Sequence, residues 1–259
     1  SHEDVPKQIL DKYWIPVGFR KLISRLYGYH EKRACKKIDG IVSVTPIICE
    51  RFSKFHPNVE MIANYPQIKS AGGQVSEKTH NHICYIGGLY ESRGLREVIL
   101  AIEHCDVVLH LAGSFDTEQF EMELKQLKGW EKVVFYGQVN QAKITELLGI
   151  CSIGIVTLHP TPSYLEAYPI KMFEYMNSGL ALLSSDFPLY RSLLDEIDCS
   201  EFVNPLEPNQ ISNTLRTMLE DKQRLKEMGA RAKKAALLHY NWSKEKEKLY
   251  AFYDQLLYG

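Results

Sequence analysis

From residue 82 onward, short apolar runs of β type alternate with longer stretches whose apolar positions recur every three or four residues. The pattern predicts strands at 83–86, 107–111, 132–136, 153–158, 180–184 and 201–203, with helices at 95–103, 117–127, 141–148, 170–177 and 189–196 between them. Strands separated by helices form βαβ units and pair in parallel, so the expected architecture is a doubly wound α/β sheet. Two more helices, 209–219 and 222–239, follow the last strand, and a further amphipathic helix opens at Trp242 and runs to 257.

The first 66 residues read differently. Only 40–45 and 59–63 have strand character, and they bracket one helix at 46–54, which is too little to close a sheet. A domain needs about 100 residues to stand comfortably, so 1–66 is expected to be the tail of a larger domain, and the start at Ser1 without Met fits a fragment. Ser, Ala, Gly and Gln over 67–78 mark a linker, followed by a complete domain over 79–240 and a last helix over 241–259. Between Arg20 and Lys37 seven basic residues stand against one acidic residue, with Phe19, Leu22, Ile23 and Leu26 at helical spacing. Two readings of this basic amphipathic helix are open: a solvated face, the one favoured, or a peripheral contact with anionic lipid at the inner face of a membrane. A preference for anionic over neutral vesicles separates them.

Composition narrows the class. A hydrophobic content of 45% and a charged content of 24% suit a chain that buries a real core. A net charge of -1 gives no reason to expect nucleic acid, and no apolar run approaches the ~18 residues of a membrane span. Cysteines 35, 49, 84, 105, 151 and 199 form no C-x-x-C pair and fall largely in apolar segments, which suits buried thiols in a reducing compartment and makes a cytoplasmic address the expectation.

The chemistry concentrates in Glu166-Ala-Tyr-Pro-Ile-Lys-Met-Phe-Glu174. Proline fits the first turn of a helix and glycine the position past its end, so a helix is expected from Pro169 to Gly179, with Glu166 in the preceding loop. Lys171 then lies in the first turn, where free N–H groups and the helix dipole favour an anion, and Glu174 follows on the same face. Carboxylates repel phosphate but accept from sugar hydroxyls, so a ligand carrying both phosphate and sugar diols uses every group. A nucleotide sugar is such a ligand. Three more turns fall at the same sheet edge: Gly87-Gly88 with Arg93, Ala112-Gly113-Ser114, and Tyr136-Gly137-Gln138-Val139. Singly each is an ordinary tight turn; together they converge where open α/β sheets bind ligands. G-x-G-x-x-G, G-x-S-x-G, Walker and D-x-D motifs are missing, as is zinc-ligand spacing, so no cofactor and no tightly held metal is expected. His80-Asn-His82 reads as linker surface.

These residues resemble the retaining GT-B glycosyltransferases of family 4, also called group 1, over about 78–240 and on into the helix at Trp242. The resemblance centres on the E-x7-E element of Glu166 and Glu174. It implies a GT-B, Rossmann-like C-terminal domain with a partial N-terminal acceptor-side domain, the last helix crossing back toward the latter. It implies that Glu166 contacts donor-sugar hydroxyls and Glu174 the nucleotide ribose. Gly87 to Gly94 resembles the family's G-R-L-x-x-x-K-G diphosphate loop, with Arg93 at the lysine position and Gly88 where an arginine is common; Lys171 is the replacement cation the chain offers. Val134 to Val139 resembles the nucleobase loop. Residues 30–66 resemble the last third of the acceptor domain, and His2-Glu3 its His-Asp or His-Glu pair.

The implied reaction moves a sugar from a UDP- or GDP-type nucleoside-diphosphate sugar to a saccharide or lipid-linked acceptor in polysaccharide synthesis. It keeps the anomeric configuration and uses no DxD-bound metal. Glu166, Arg93 and Lys171 are the expected catalytic residues, with Glu174, Gly87, Gly88, Gly113, Gly137, Gln138, Val139, Pro169 and Ile170 binding substrate. A nucleotide-sugar epimerase of the same architecture and a non-catalytic nucleotide-sugar-binding subunit remain open, and this chain alone is expected to bind donor without turning it over.

Overall fold

The structure, a computed structural model, describes residues 4–12, 14–67 and 78–258. His2-Glu3 and residues 68–77 of the expected linker lie outside the described residues. Two compact units are present: described residues within 1–68, 161–168 and 241–259 make the first, and those within 69–160 and 169–240 the second.

In the first unit, helix α1 (Val5–Asp11) is a short element the hydrophobic pattern did not announce. Its signals are nonetheless ordinary, since the Asp4 carboxylate accepts from Lys7 N–H and Pro6 sits in the first turn. Helix α2 (Val17–Cys35) forms over the basic segment. Its inward side is the polar one: Arg20 Nε donates to Ile15 O at 2.7 Å, Ser24 Oγ to Pro6 O at 2.7 Å, and Glu31 pairs with Arg51. The apolar row Phe19, Leu22 and Leu26 faces outward, each residue more than half exposed. Strand β1 (Ile41–Ser43), helix α3 (Pro46–Ser53) and strand β2 (Val59–Met61) follow, and the two strands pair in parallel. The C-terminal helix Trp242–Tyr258 is tied in by its fully buried Glu245, whose carboxylate accepts from Ala63 N–H at 2.7 Å. Among the described residues, no helix is long and apolar enough to cross a membrane.

The second unit carries six parallel strands: β3 (His82–Ile86), β4 (Val108–Ala112), β5 (Val133–Phe135), β6 (Ile153–Val156), β7 (Ala181–Ser185) and β8 (Ser200–Val203). Their spatial order is β5-β4-β3-β6-β7-β8. The chain therefore works outward from β3 on one side and returns to begin again beside it with β6. The strand order reverses between β3 and β6, the position at which open α/β sheets bind ligands at the carboxyl ends of their strands.

Between the strands lie α4 (Leu95–Ile102), α5 (Glu118–Lys125), α6 (Gln141–Ile150), α7 (Ile170–Asn177) and α8 (Pro188–Leu194), and α9 (Pro208–Glu220) and α10 (Lys222–Leu238) follow β8. Helix α4 shows why the pattern was readable: Leu95, Val98, Ile99 and Ile102 occupy one stripe and are all fully buried. Thr117 and Asn140 cap α5 and α6 by accepting from Phe120 N–H and Lys143 N–H.

Three expectations need correction. The run at 153–158 pairs only to Val156. Beyond it, Leu158 O accepts from Ser185 Oγ at 2.7 Å instead of continuing the ladder. The helix at 189–196 stops at Leu194 and passes into a 3₁₀ turn, Asp195–Ile197. His82 is not linker surface: it opens β3 and its Nδ1 lies 2.9 Å from Nε2 of buried His110, whose Nδ1 reaches Tyr136 Oη at 2.8 Å. Burial, with the neighbouring His82 and Lys143 charges, holds His110 down at about 4.

The turn after β4 tolerates no side chain. Gly113 has φ +149°, and a Cβ there would lie 1.9 Å from Gly87 O. Both backbone strain and overlap with a carbonyl act against substitution, each costing about 1–3 kcal/mol. Gly113→Ala is expected to lose at least ~2 kcal/mol of unfolding free energy in urea titration, and an unchanged midpoint would contradict this packing.

Candidate functional site

Three glycine turns stand side by side at the carboxyl edge of the sheet. Gly87 follows β3 with φ +131°, Gly113 follows β4, and Gly137 follows β5 with φ +62°. They are linked through the backbone, Gly87 N–H donating to Ala112 O at 2.9 Å and Gly113 N–H to Gly137 O at 2.8 Å. Without side chains on these turns the main chain itself lines the edge, which permits close approach of a ligand. Gln138 is exposed and Val139 half-buried just beyond.

The turn after β3 then runs into a short 3₁₀ segment, Glu91–Arg93, and into α4. Gly94 at the junction has φ +71°, and a Cβ there would lie 2.0 Å from Thr157 O, so the loop leaving β6 presses directly on the start of α4. His159 in that loop donates its N–H to Ser92 O at 2.9 Å and brings Nε2 within 3.1 Å of Glu97 Oε2. Half-buried Arg93 holds its guanidinium carbon 5.6 Å from the centroid of the Tyr90 ring. At Gly88, a Cβ would lie 2.6 Å from the same ring, so glycine and tyrosine fit together where an arginine would displace Tyr90.

Helix α7 places the remaining groups. It begins after Pro169 with no side-chain cap, and it ends where Gly179 turns left-handed at φ +72°. Tyr175 fixes it to the sheet: its hydroxyl accepts from Ile86 N–H at 2.9 Å, and its ring occupies the space a side chain at Gly154 would need. Ile170 is exposed and Pro169 half-buried at the uncapped end.

Lys171 is not a surface lysine. It is 7% exposed, and Nζ lies 3.5 Å from the centroid of the Tyr85 ring and 3.5 Å from where a Gly87 Cβ would stand. Tyr85 in turn donates its hydroxyl to Gly88 O at 3.0 Å, so one side chain supports both the turn and the ammonium. Among the described residues no hydrogen bond reaches Lys171 Nζ. Burial pushes this ammonium well below the ordinary lysine range, the Arg93 charge pushes the same way, and Cys84 and Glu174 pull against them. Burial raises the half-buried Glu174 carboxyl, with Lys171 opposing.

The second unit thus gathers Gly87, Gly88, Arg93, Gly113, Gly137, Lys171 and Glu174 at one edge. Glu166 belongs to the first unit, where it ends a 3₁₀ turn, Tyr164–Glu166, rather than lying in an open loop. Its Oε1 pairs with Lys7 Nζ, and its Oε2 is buried without a hydrogen bond. Sequence reading missed Lys7, Tyr85 and the His159–Glu97 pair. Tyr85 had no signal beyond an apolar strand, and Lys7 meets Glu166 across 159 residues.

A family model described as glycosyl transferases group 1 matches residues 68–235. Among solved structures, the chain is similar to a point mutant of Staphylococcus aureus TarM in complex with fondaparinux, alpha-GlcNAc-glycerol and UDP. The TM-score is 0.72 at 15% identity, over 89% of this chain and 46% of that one. It is similar to Anabaena Alr3699/HepE in complex with UDP and glucose, with TM-score 0.68 at 16% identity over 84% of this chain and 63% of that one. The catalytic domain of cholesterol-alpha-glucosyltransferase from Helicobacter pylori gives TM-score 0.51 at 21% identity, over 61% of this chain and 98% of that one. These likenesses establish the GT-B type of fold. The chain spans about half the length of TarM and under two thirds of HepE. No curated protein matches it.

An unpaired buried ammonium costs several kcal/mol, and a cation–π contact returns only about 2. Lys171→Met is therefore expected to stabilise the ligand-free chain, raising Tm by about 2–4 °C for each ~1 kcal/mol. Between the lowered Lys171 pKa and the ordinary lysine value, the unfolded chain binds a proton that the fold does not, so stability rises with pH across that window. Thermal scans from neutral to alkaline pH should show this slope diminish in Lys171→Met; a lower Tm at neutral pH would contradict the assignment.

Proposed function

This chain belongs to the group 1 glycosyltransferases, and from that membership we propose that it serves the transfer of a sugar from a nucleoside-diphosphate sugar to a saccharide or lipid-linked acceptor, with retention of configuration. The observation that carries the reading is the buried Lys171 ammonium, which lacks a hydrogen-bond acceptor among the described residues at an edge lined by glycine turns. A diphosphate supplies the missing acceptors and the missing negative charge together. UDP-type donors are favoured because the TarM and HepE structures are complexes with UDP.

In this reading Arg93, Lys171 and the uncapped start of α7, with the N–H of Ile170 after Pro169, face the diphosphate. Gly87, Gly88 and Gly113 let it approach the main chain. Glu174 accepts from the ribose diol, and the Gly137-Gln138-Val139 turn meets the nucleobase. Glu166 accepts from hydroxyls of the transferred sugar. In the transfer, the bond from the anomeric carbon to the diphosphate oxygen breaks with its electron pair going to the diphosphate. A new bond to the acceptor oxygen forms on the same face, and the acceptor hydroxyl passes its proton to the departing diphosphate oxygen. Charge therefore grows on the diphosphate in the transition state, and fixed cations directed at it are the largest contribution such a site makes.

The two glutamates separate experimentally. A hydrogen bond to a charged group contributes roughly 1.5–3 kcal/mol, about 10- to 150-fold in affinity. In calorimetry, Glu174→Ala is expected to weaken UDP and the UDP-sugar alike by that factor, whereas Glu166→Ala weakens only the UDP-sugar. Equal losses for both ligands in both variants would overturn the division of roles.

A further inference from the structure

Helix α2 is amphipathic in the reverse sense to an ordinary surface helix. Arg20, Ser24, Gly28, Glu31 and Cys35 make its inward side, and polar bonds hold it there: Arg20 to Ile15 O, Ser24 to Pro6 O and Glu31 to Arg51. A Cβ at Gly28 would stand 3.8 Å from Pro6 Cγ, so α1 lies close against this side. Rolling the helix to bury its apolar row would break each of these bonds and leave their polar groups unmet. Phe19, Leu22 and Leu26 are thus fixed outward, at spacings of three and four, and Trp14 at the entry to the helix is 67% exposed.

Charge selects what such a row meets. Lys21, Arg25, Lys32 and Lys36 are all exposed and recur at spacings of four, seven and four, which sets them along one flank of the apolar row. Arg33 and Lys37, also exposed, stand at its C-terminal end. The one carboxylate between Val17 and Lys37, that of Glu31, is turned inward and paired with Arg51, so it neutralises none of them. A nucleic acid would satisfy the cations and leave the apolar row in water, whereas an apolar protein groove would cover the row and leave the cations without counter-charge. An anionic lipid surface meets both, with phosphates at the flank and acyl chains beneath the row. Tryptophan suits the same boundary, having an apolar ring and one N–H donor.

We propose that α2 docks this chain on an anionic lipid surface, lying in its plane with Phe19, Leu22 and Leu26 at the acyl boundary and Lys21, Arg25, Lys32 and Lys36 among headgroup phosphates. The inference goes beyond the glycosyltransferase reading and does not depend on it.

Flotation of the full chain with vesicles of phosphatidylcholine alone, and of phosphatidylcholine with about 30 mol% phosphatidylglycerol, tests the proposal. Each cation near an anionic surface contributes roughly fivefold, so partition onto the mixed vesicles is expected to be at least about tenfold stronger than onto the neutral ones. A variant with Phe19→Gln, Leu22→Gln and Leu26→Gln changes only exposed positions to a good helix former, and is expected to bind the mixed vesicles at least about tenfold more weakly with its circular dichroism unchanged. A variant with Lys21→Gln, Arg25→Gln and Lys36→Gln is expected to lose the preference for the mixed vesicles. Tryptophan emission should shift to the blue on the mixed vesicles in the native chain and not in Trp14→Phe. Equal binding to both vesicle types, no binding to either, or full binding by the variant lacking the apolar row would overturn the proposal. Self-association of the native chain that this variant abolishes, without vesicle binding, would also overturn it and assign the row to a second copy. Failure of the native chain to bind UDP would instead overturn the nucleotide-sugar reading, and the vesicle result would still decide this one.

Discussion

Lys171 carries an ammonium group into a buried position where no atom of the described residues hydrogen-bonds it, and the edge of the second unit is organised around that cost. Tyr85 lends its ring, Gly87 brings bare main chain beside the ammonium, and Tyr175 fixes the helix from which the lysine extends. A fold retains an uncompensated buried charge only where something else meets it, because removing the charge would otherwise be favourable. In the proposed function diphosphate oxygens do so, and the Arg93 charge that disfavours the lysine in the free chain then becomes an ally.

The sheet order makes this arrangement possible. Since β3 and β6 are neighbours although separated by two strands in sequence, the glycine turn after β3 and the loop after β6 close on each other, to the point that Thr157 O excludes any side chain at residue 94. The three glycine turns are held by mutual backbone hydrogen bonds, and the first of them also by the Tyr85 hydroxyl. All three glycines have positive φ, and at Gly113 the Gly87 carbonyl also excludes a side chain, so main chain rather than side chain lines this edge.

Much of this was legible in the residues. The strands of the second unit and its helices announced themselves by short continuous apolar runs or by stripes of period 3.6, because the central strands are covered on both faces and the helices on one. The E-x7-E spacing marked Glu166 and Glu174, and Pro169 with Gly179 bounded the helix between them. Burial of Lys171 was not legible, since a lysine near a helix start is ordinarily solvated; only the meeting of α7 with β3 encloses it. The Lys7–Glu166 and His82–His110–Tyr136 contacts join residues distant in sequence, and no local period encodes them. In α2 the helical period was legible but the side that faces inward was not, because Arg20, Ser24 and Glu31 find backbone and ionic partners there.

The most direct test of the central claim is the proton taken up when diphosphate meets Lys171. An anion beside a depressed ammonium raises its pKa, so at a pH above the free-state value and below the bound one, binding draws a proton from the buffer. Calorimetric titration with UDP over alkaline pH, in buffers of different ionisation enthalpy, should show uptake of up to about one proton by the native chain and none by Lys171→Met. Binding heats independent of buffer in the native chain across that range, or the same uptake in Lys171→Met, would contradict the account.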